Sequence, residues 1–170
     1  KMYFTRSDIR YFQRYRFKID DALTQGNLEP IYDIFRIYRL RVQQRLGYSL
    51  ETLLIQNQNF ESDSSYDFNN QSNNWLEDIE ELESLWKKKT YNDLLTLILA
   101  DQTKEMAIKV LEKRYTRFVK KINLFDEEDV ISIFLNAYVH TLDPHSNYLN
   151  PTQSEEYEIQ MSLSYQGIGA

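Results

Sequence analysis

The chain has 170 residues, 42% hydrophobic and 27% charged, with a net charge of -6 and no cysteine. That is enough apolar material for a domain with a real core, and it excludes a wholly disordered chain, a disulfide scaffold and thiolate chemistry. The acidic balance gives no overall pull toward nucleic acid or an anionic membrane surface, and no stretch approaches the roughly 20 apolar residues of a membrane span.

Only 4 Gly and 3 Pro interrupt the chain, which favours long helices over a many-turned β protein. Lys1 to Arg6 has no apolar run behind it, so no signal peptide is read there, and the natural N-terminus is expected to lie upstream. Charge comes in blocks: residues 1–46 carry net +5, 47–86 net -9, 87–123 net +6 and 124–170 net -8. Such alternation predicts helices that attract one another across the fold, against the plainer reading of ordinary solvated helix faces.

In chain order, Thr5 or Ser7 is expected to cap a first helix with Asp8 in its first turn, and Gly26 to end it. Pro30 suits the first turn of a second helix. Its stripe is Ile31, Ile34, Phe35, Tyr38, Val42 and Leu46, and Gly47 is expected to end it, giving a helical hairpin. A short apolar piece, Leu50 to Ile55, precedes the polar run 56–74, which reads as a long surface loop with Tyr66 and Phe68 as pins. Leu76, Ile79, Leu82 and Trp86 restore the helical period, with a break expected near Thr90 before Leu94 to Leu99. Asp101 or Thr103 is expected to cap a further helix whose stripe is Ala107, Val110, Leu111, Arg114, Phe118 and Ile122. Lys104, Lys109, Lys113, Arg117, Lys120 and Lys121 fill its other positions. Asp126 and Asp129 resemble a capping box, and Pro144 forces the last long helix to end by Asp143. A turn and a short polar helix lead to Met161–Tyr165, whose alternation predicts a half-buried strand.

Chemistry is sparse. His140, Asp143 and His145 could be tried as metal ligands, but Pro144 interrupts them and no helical spacing puts two imidazoles on one face. The alternative is a turn in which Asp143 accepts hydrogen bonds. No serine has a nucleophile-elbow context, and no glycine loop precedes a helix to cradle a phosphate. Arg36, Arg39 and Arg45 with Tyr32 and Tyr38 could be a nucleic-acid surface, or simply a basic helix face opposite an apolar stripe. Gly167-Ile168-Gly169-Ala170 is a corner where backbone N–H groups can converge on a carboxylate, or else an ordinary strand-end turn.

Asp143-Pro144-His145, Asn147-Tyr148-Leu149, Pro151, Met161–Ser164 and Gly167–Ala170 resemble the junction of tail-specific (C-terminal processing) serine proteases. There a helical N-terminal domain passes into a PDZ domain through D-P-H-[ST]-N-Y-L-[SN]-P and M-S-L-S-x-x-G-I-G-A. Upstream, "LESLWKKKTYNDL", "LEKRYTRFVKKI" and "GNLEPIYDIFRIYRLR" are similar to that helical region, so the resemblance spans nearly the whole chain.

The fold class implied is mostly α with a terminal β-strand: a helical N-terminal domain over 1–150, incomplete at its N-terminus and with the polar loop 56–74, then the junction and first segment of a truncated PDZ domain over 151–170. The resemblance implies a periplasmic serine endopeptidase that acts on unfolded protein C-termini, with an adaptor protein as a further partner and no metal or organic cofactor. Its serine–lysine pair, in which a desolvated lysine acts as general base, would lie in a downstream core. No catalytic residue is therefore assigned here, and whether this chain alone is an enzyme stays open, with inactivity expected. Only the partial carboxylate-binding loop Gly167, Ile168, Gly169 and Ala170 carries over. The fragment's expected role is a scaffold or docking domain for substrate or adaptor; the alternative is a free-standing helical adaptor for a protein or nucleic acid.

Overall fold

A computed structural model of the chain describes residues 2–55, 66 and 74–162. Among them are seven α-helices and no strand: α1 Arg6–Phe12, α2 Ile19–Thr24, α3 Glu29–Leu54, α4 Ile79–Leu99, α5 Lys104–Leu124, α6 Glu127–Leu142 and α7 Pro151–Ser162. None is long and apolar enough to cross a membrane. The chain divides into two units, Lys1–Leu124 and Phe125–Ala170.

In the first unit α3, α4 and α5 pack on one another in all three pairings. Each offers buried residues at helical spacing: Ile31, Phe35, Val42, Leu46 and Leu53 from α3, Leu82, Trp86 and Leu94 from α4, and Ala107, Leu111, Tyr115 and Ile122 from α5. The N-terminal segment closes over this core. The Trp86 indole N–H donates to the Met2 carbonyl at 2.7 Å, and the Arg6 N–H donates to the Leu76 carbonyl at 2.7 Å. Tyr3 meets Tyr38 edge-on at 5.4 Å between ring centroids, and Phe4 meets Phe12 at 5.1 Å.

Thr5 caps α1 through a capping box completed by Asp8. The expected single first helix is interrupted: Gln13–Tyr15 form a 3₁₀ turn and α2 starts afresh at Ile19. Between Phe12 and Ile19 no residue is buried, so packing gives nothing to carry a helix through, and short helices are marginal without it. This segment is tied down instead by Asp33 of α3, which accepts from the hydroxyls of Tyr11 at 2.7 Å and Tyr15 at 2.6 Å and pairs with Arg36.

Two further expectations are corrected. Gly47 does not end its helix; α3 runs on to Leu54. Leu46, Ser49, Thr52 and Leu53 are all buried, and that shared face outweighs the roughly 1 kcal/mol a mid-helix glycine costs. Nor does Thr90 break α4: its buried hydroxyl lies 2.8 Å from the Trp86 carbonyl and 2.9 Å from Ser49 Oγ, so the helix continues without stranding a polar group. Gly26, by contrast, takes φ +69 just beyond α2, as a helix-ending glycine does. After α4 it is Asp101 that turns left-handed, at φ 61, and the Thr103 hydroxyl accepts the Met106 N–H at 3.3 Å to start α5. The charge blocks pair across the fold at one place among the described residues, Arg6 with Glu77.

In the second unit, Asp126 and Asp129 form the expected capping box and α6 ends at Leu142, before Pro144. Asn150 and Gln153 cap α7 reciprocally, at 2.8 and 3.3 Å. Met161 and Ser162, expected to open a strand, stand instead in the last turn of α7. The rest of that strand, with Gly167, Ile168, Gly169 and Ala170, lies outside the described residues, as does Phe68. Tyr66 is half-buried with the Lys89 ammonium 5.9 Å from its ring centroid.

Candidate functional site

The sequence pointed first to the turn after α6. There the Asp143 carboxylate accepts the Ser146 hydroxyl at 2.6 Å and the His145 N–H at 3.0 Å. Those two hydrogen bonds, the hydroxyl's foremost, hold its carboxyl below the usual range. His140 Nε2 lies 2.9 Å from Asn147 Oδ1. Among the described residues no three His, Cys, Asp or Glu side chains come together in metal-holding geometry. The Asn136 amide then locks the segment: its Nδ2 donates to the Tyr148 carbonyl at 3.1 Å and its Oδ1 accepts the Tyr148 N–H at 2.9 Å. The residues that carry the family resemblance here form a joint between α6 and α7.

The arginines of α3 are also engaged. Arg36 pairs with Asp33, the Arg39 guanidinium lies 5.2 Å from the Phe35 ring centroid, and that of Arg45 lies 4.9 Å from the Tyr3 ring centroid. Tyr38 sits among Tyr3, Phe4 and Phe35, and burial raises its hydroxyl pKa.

The feature that stands apart is a cleft of about 740 Å³ in the first unit, formed by α3, α4, α5 and Tyr3. Leu46, Val110 and Phe118 supply apolar lining, and Tyr3 and Tyr115 add aromatic rings. Six cations face it: Arg45 from α3, Lys89 from α4, and Lys113, Arg114, Arg117 and Lys121 from α5. The four from α5 fall in two adjacent rows of that helix, Lys113–Arg117–Lys121 and Val110–Arg114–Phe118, each stepping by four residues.

Asp93 is the one carboxylate in the lining among the described residues, and it is already committed. It pairs with Lys89 and accepts the Tyr115 hydroxyl at 3.2 Å. Burial, and then the Asp93 charge, push the Tyr115 phenol up to about 12, so it stays a donor at any ordinary pH. Arg45 rests on the Tyr3 ring. Lys113, Arg114, Arg117 and Lys121 are exposed and have no ion-pair partner among the described residues. Among the described residues the lining contains no serine, threonine, cysteine or histidine. What it can do is bind: a dense positive field over aromatic and apolar surface suits an anion attached to an apolar body.

Sequence reading passed over this cleft because it treated Lys113, Arg117 and Lys121 as solvent decoration and Arg114 as part of the core stripe. Tyr115, one position along, is the buried residue. The available signal was the net +6 of residues 87–123, with cations four residues apart and only Glu112 near them.

Residues 1–152 match the family described as "Tail specific protease N-terminal domain". The chain belongs to that family. Among similar proteins is the tail-specific protease of Haemophilus influenzae, 28% identical over 167 residues, an overlap covering 98% of this chain and 24% of that protein. The chain therefore spans about a quarter of that relative's length.

Proposed function

We propose that this chain is a non-catalytic helical domain of a tail-specific protease that holds substrate or an adaptor beside a catalytic core located elsewhere in the polypeptide. The observation that carries the reading is the family match over 1–152, against a relative of which these residues correspond to only 24%. The catalytic pair would be serine and lysine in that core, acting on peptide bonds near protein C-termini in the periplasm. Residues 151–170 would lead into a PDZ domain, with Gly167, Ile168, Gly169 and Ala170 opening its carboxylate-binding loop. The described helices support a docking role, because they combine a packed core with a cleft suited to binding.

The test removes residues 1–124 from the intact gene product and compares cleavage of an unfolded protein with that of a short peptide. Docking by this region raises KM for the unfolded protein several-fold and leaves short-peptide kcat within about twofold. Unchanged kinetics on both substrates would overturn it.

A further inference from the structure

We infer that the cleft between α3, α4 and α5 is a docking groove for an acidic, extended segment of a client polypeptide. The inference rests on the protease reading for its client, and on the cleft for its chemistry. Four exposed cations of α5 share one side of a helix, and among the described lining residues Asp93 of α4 is the one carboxylate facing them. Like charges four residues apart on a helix repel, so the folded domain gains nothing from this arrangement by itself. That carboxylate is engaged by Lys89 and Tyr115, leaving Lys113, Arg114, Arg117 and Lys121 without a counter-charge among the described residues.

The volume of about 740 Å³ takes several side chains, more than a small anion needs. Phe118, Val110 and Tyr3 offer apolar contact between the cations, which matches carboxylates interleaved with aromatic or aliphatic side chains. The chain's net charge of -6 works against a long polyanion, whose field reaches beyond the cleft; a short acidic segment meets only the local positive charge. Exposed charge pairs are individually weak and fast to break, which suits a client that must be held and then passed on.

The experiment has two arms. In the first, the chain is titrated with a labelled peptide of alternating Glu and Phe, with its Gln-for-Glu counterpart, and with a single-stranded oligonucleotide of equal charge. The acidic peptide is expected to bind at least tenfold tighter than either. Lys113→Glu/Arg117→Glu/Lys121→Glu is expected to weaken it at least tenfold. Lys88→Glu/Lys109→Glu/Lys120→Glu makes the same change in net charge outside the cleft and should weaken it less than threefold. Should the charge-reversed cleft variant lose helicity, the three Gln substitutions carry the test in the same direction. Comparable losses in both triple variants, no preference over the Gln peptide, or tighter oligonucleotide binding overturns the proposal.

In the second arm, the intact gene product cleaves two unfolded reporters that differ only in an acidic segment upstream of the C-terminus. The cleft variant should raise KM for the acidic reporter alone, with kcat unchanged; KM raised equally for both overturns the proposal. If neither reporter is cleaved by the unaltered product, the protease reading fails, while the groove still stands or falls on the peptide titration.

Discussion

Asp8 is where the N-terminal segment is fastened. Its carboxylate takes a two-pronged bond from Arg41, Nε and Nη2 each at 2.9 Å, and also accepts the Thr5 N–H at 2.9 Å. Burial alone would raise its pKa, but the Arg41 fork and the Thr5 donors outweigh burial and hold it below the ordinary value. A depressed carboxyl stabilises the fold above its unfolded pKa, and that contribution is lost as pH falls through the folded value. Asp8→Asn should therefore cost about 2–4 kcal/mol at pH 7, measured by urea unfolding, and the gap to wild type should narrow as pH falls below the ordinary carboxylate range. Tyr115 works in the opposite sense. Its pKa is raised to about 12, so stability is full below pH 10 and should fall between pH 10 and 12. Tyr115→Phe should flatten that fall; an unchanged alkaline limb would contradict the assignment. Thr5 was legible in the sequence as one of two candidate caps, with Ser7, and Asp8 as a first-turn acid, because capping is local. The Arg41 partner was not, since 33 residues separate it from Asp8 and only the fold brings them together.

At the scale of elements, periodic stripes announced most of the long helices, but their ends were harder to read. Gly47 looked like a stop because glycine is a weak helix former; burial on both sides of it decided otherwise. Nothing lies within 4 Å of a Cβ built at Gly47. Gly47→Ala should therefore stabilise the domain by about 0.5–1 kcal/mol, read as a rise in melting temperature. Gly26→Ala should do the reverse by about 1 kcal/mol, since φ +69 strains any residue with a Cβ. The same stability with either substitution would mean that these helix ends are drawn wrongly. Asn136 belongs to this scale as well, because one amide binds both backbone groups of Tyr148 and so fixes the α6–α7 joint. Asn136→Ala should raise amide exchange at Tyr148 and its neighbours by about tenfold, in keeping with roughly 1–2 kcal/mol for a lost pair of hydrogen bonds.

For the whole molecule, the sequence made the family recognisable through the D-P-H-S-N-Y-L-N-P motif, while the cleft stayed hidden. A motif is contiguous, whereas a cleft is assembled from three helices and Tyr3. The expectation that charge blocks attract one another pointed away from it: cations of α3, α4 and α5 line one hollow instead of meeting acids across the fold. Under the proposed function, this domain holds polypeptide while bond cleavage falls to residues elsewhere in the gene product. The most direct measurement is hydrolysis of an unfolded reporter with an apolar C-terminus, by the purified 170-residue chain and by the intact gene product side by side. The expected result is turnover by the intact product and none by the chain. Turnover by the chain alone, abolished by replacing a serine within it, would contradict the account.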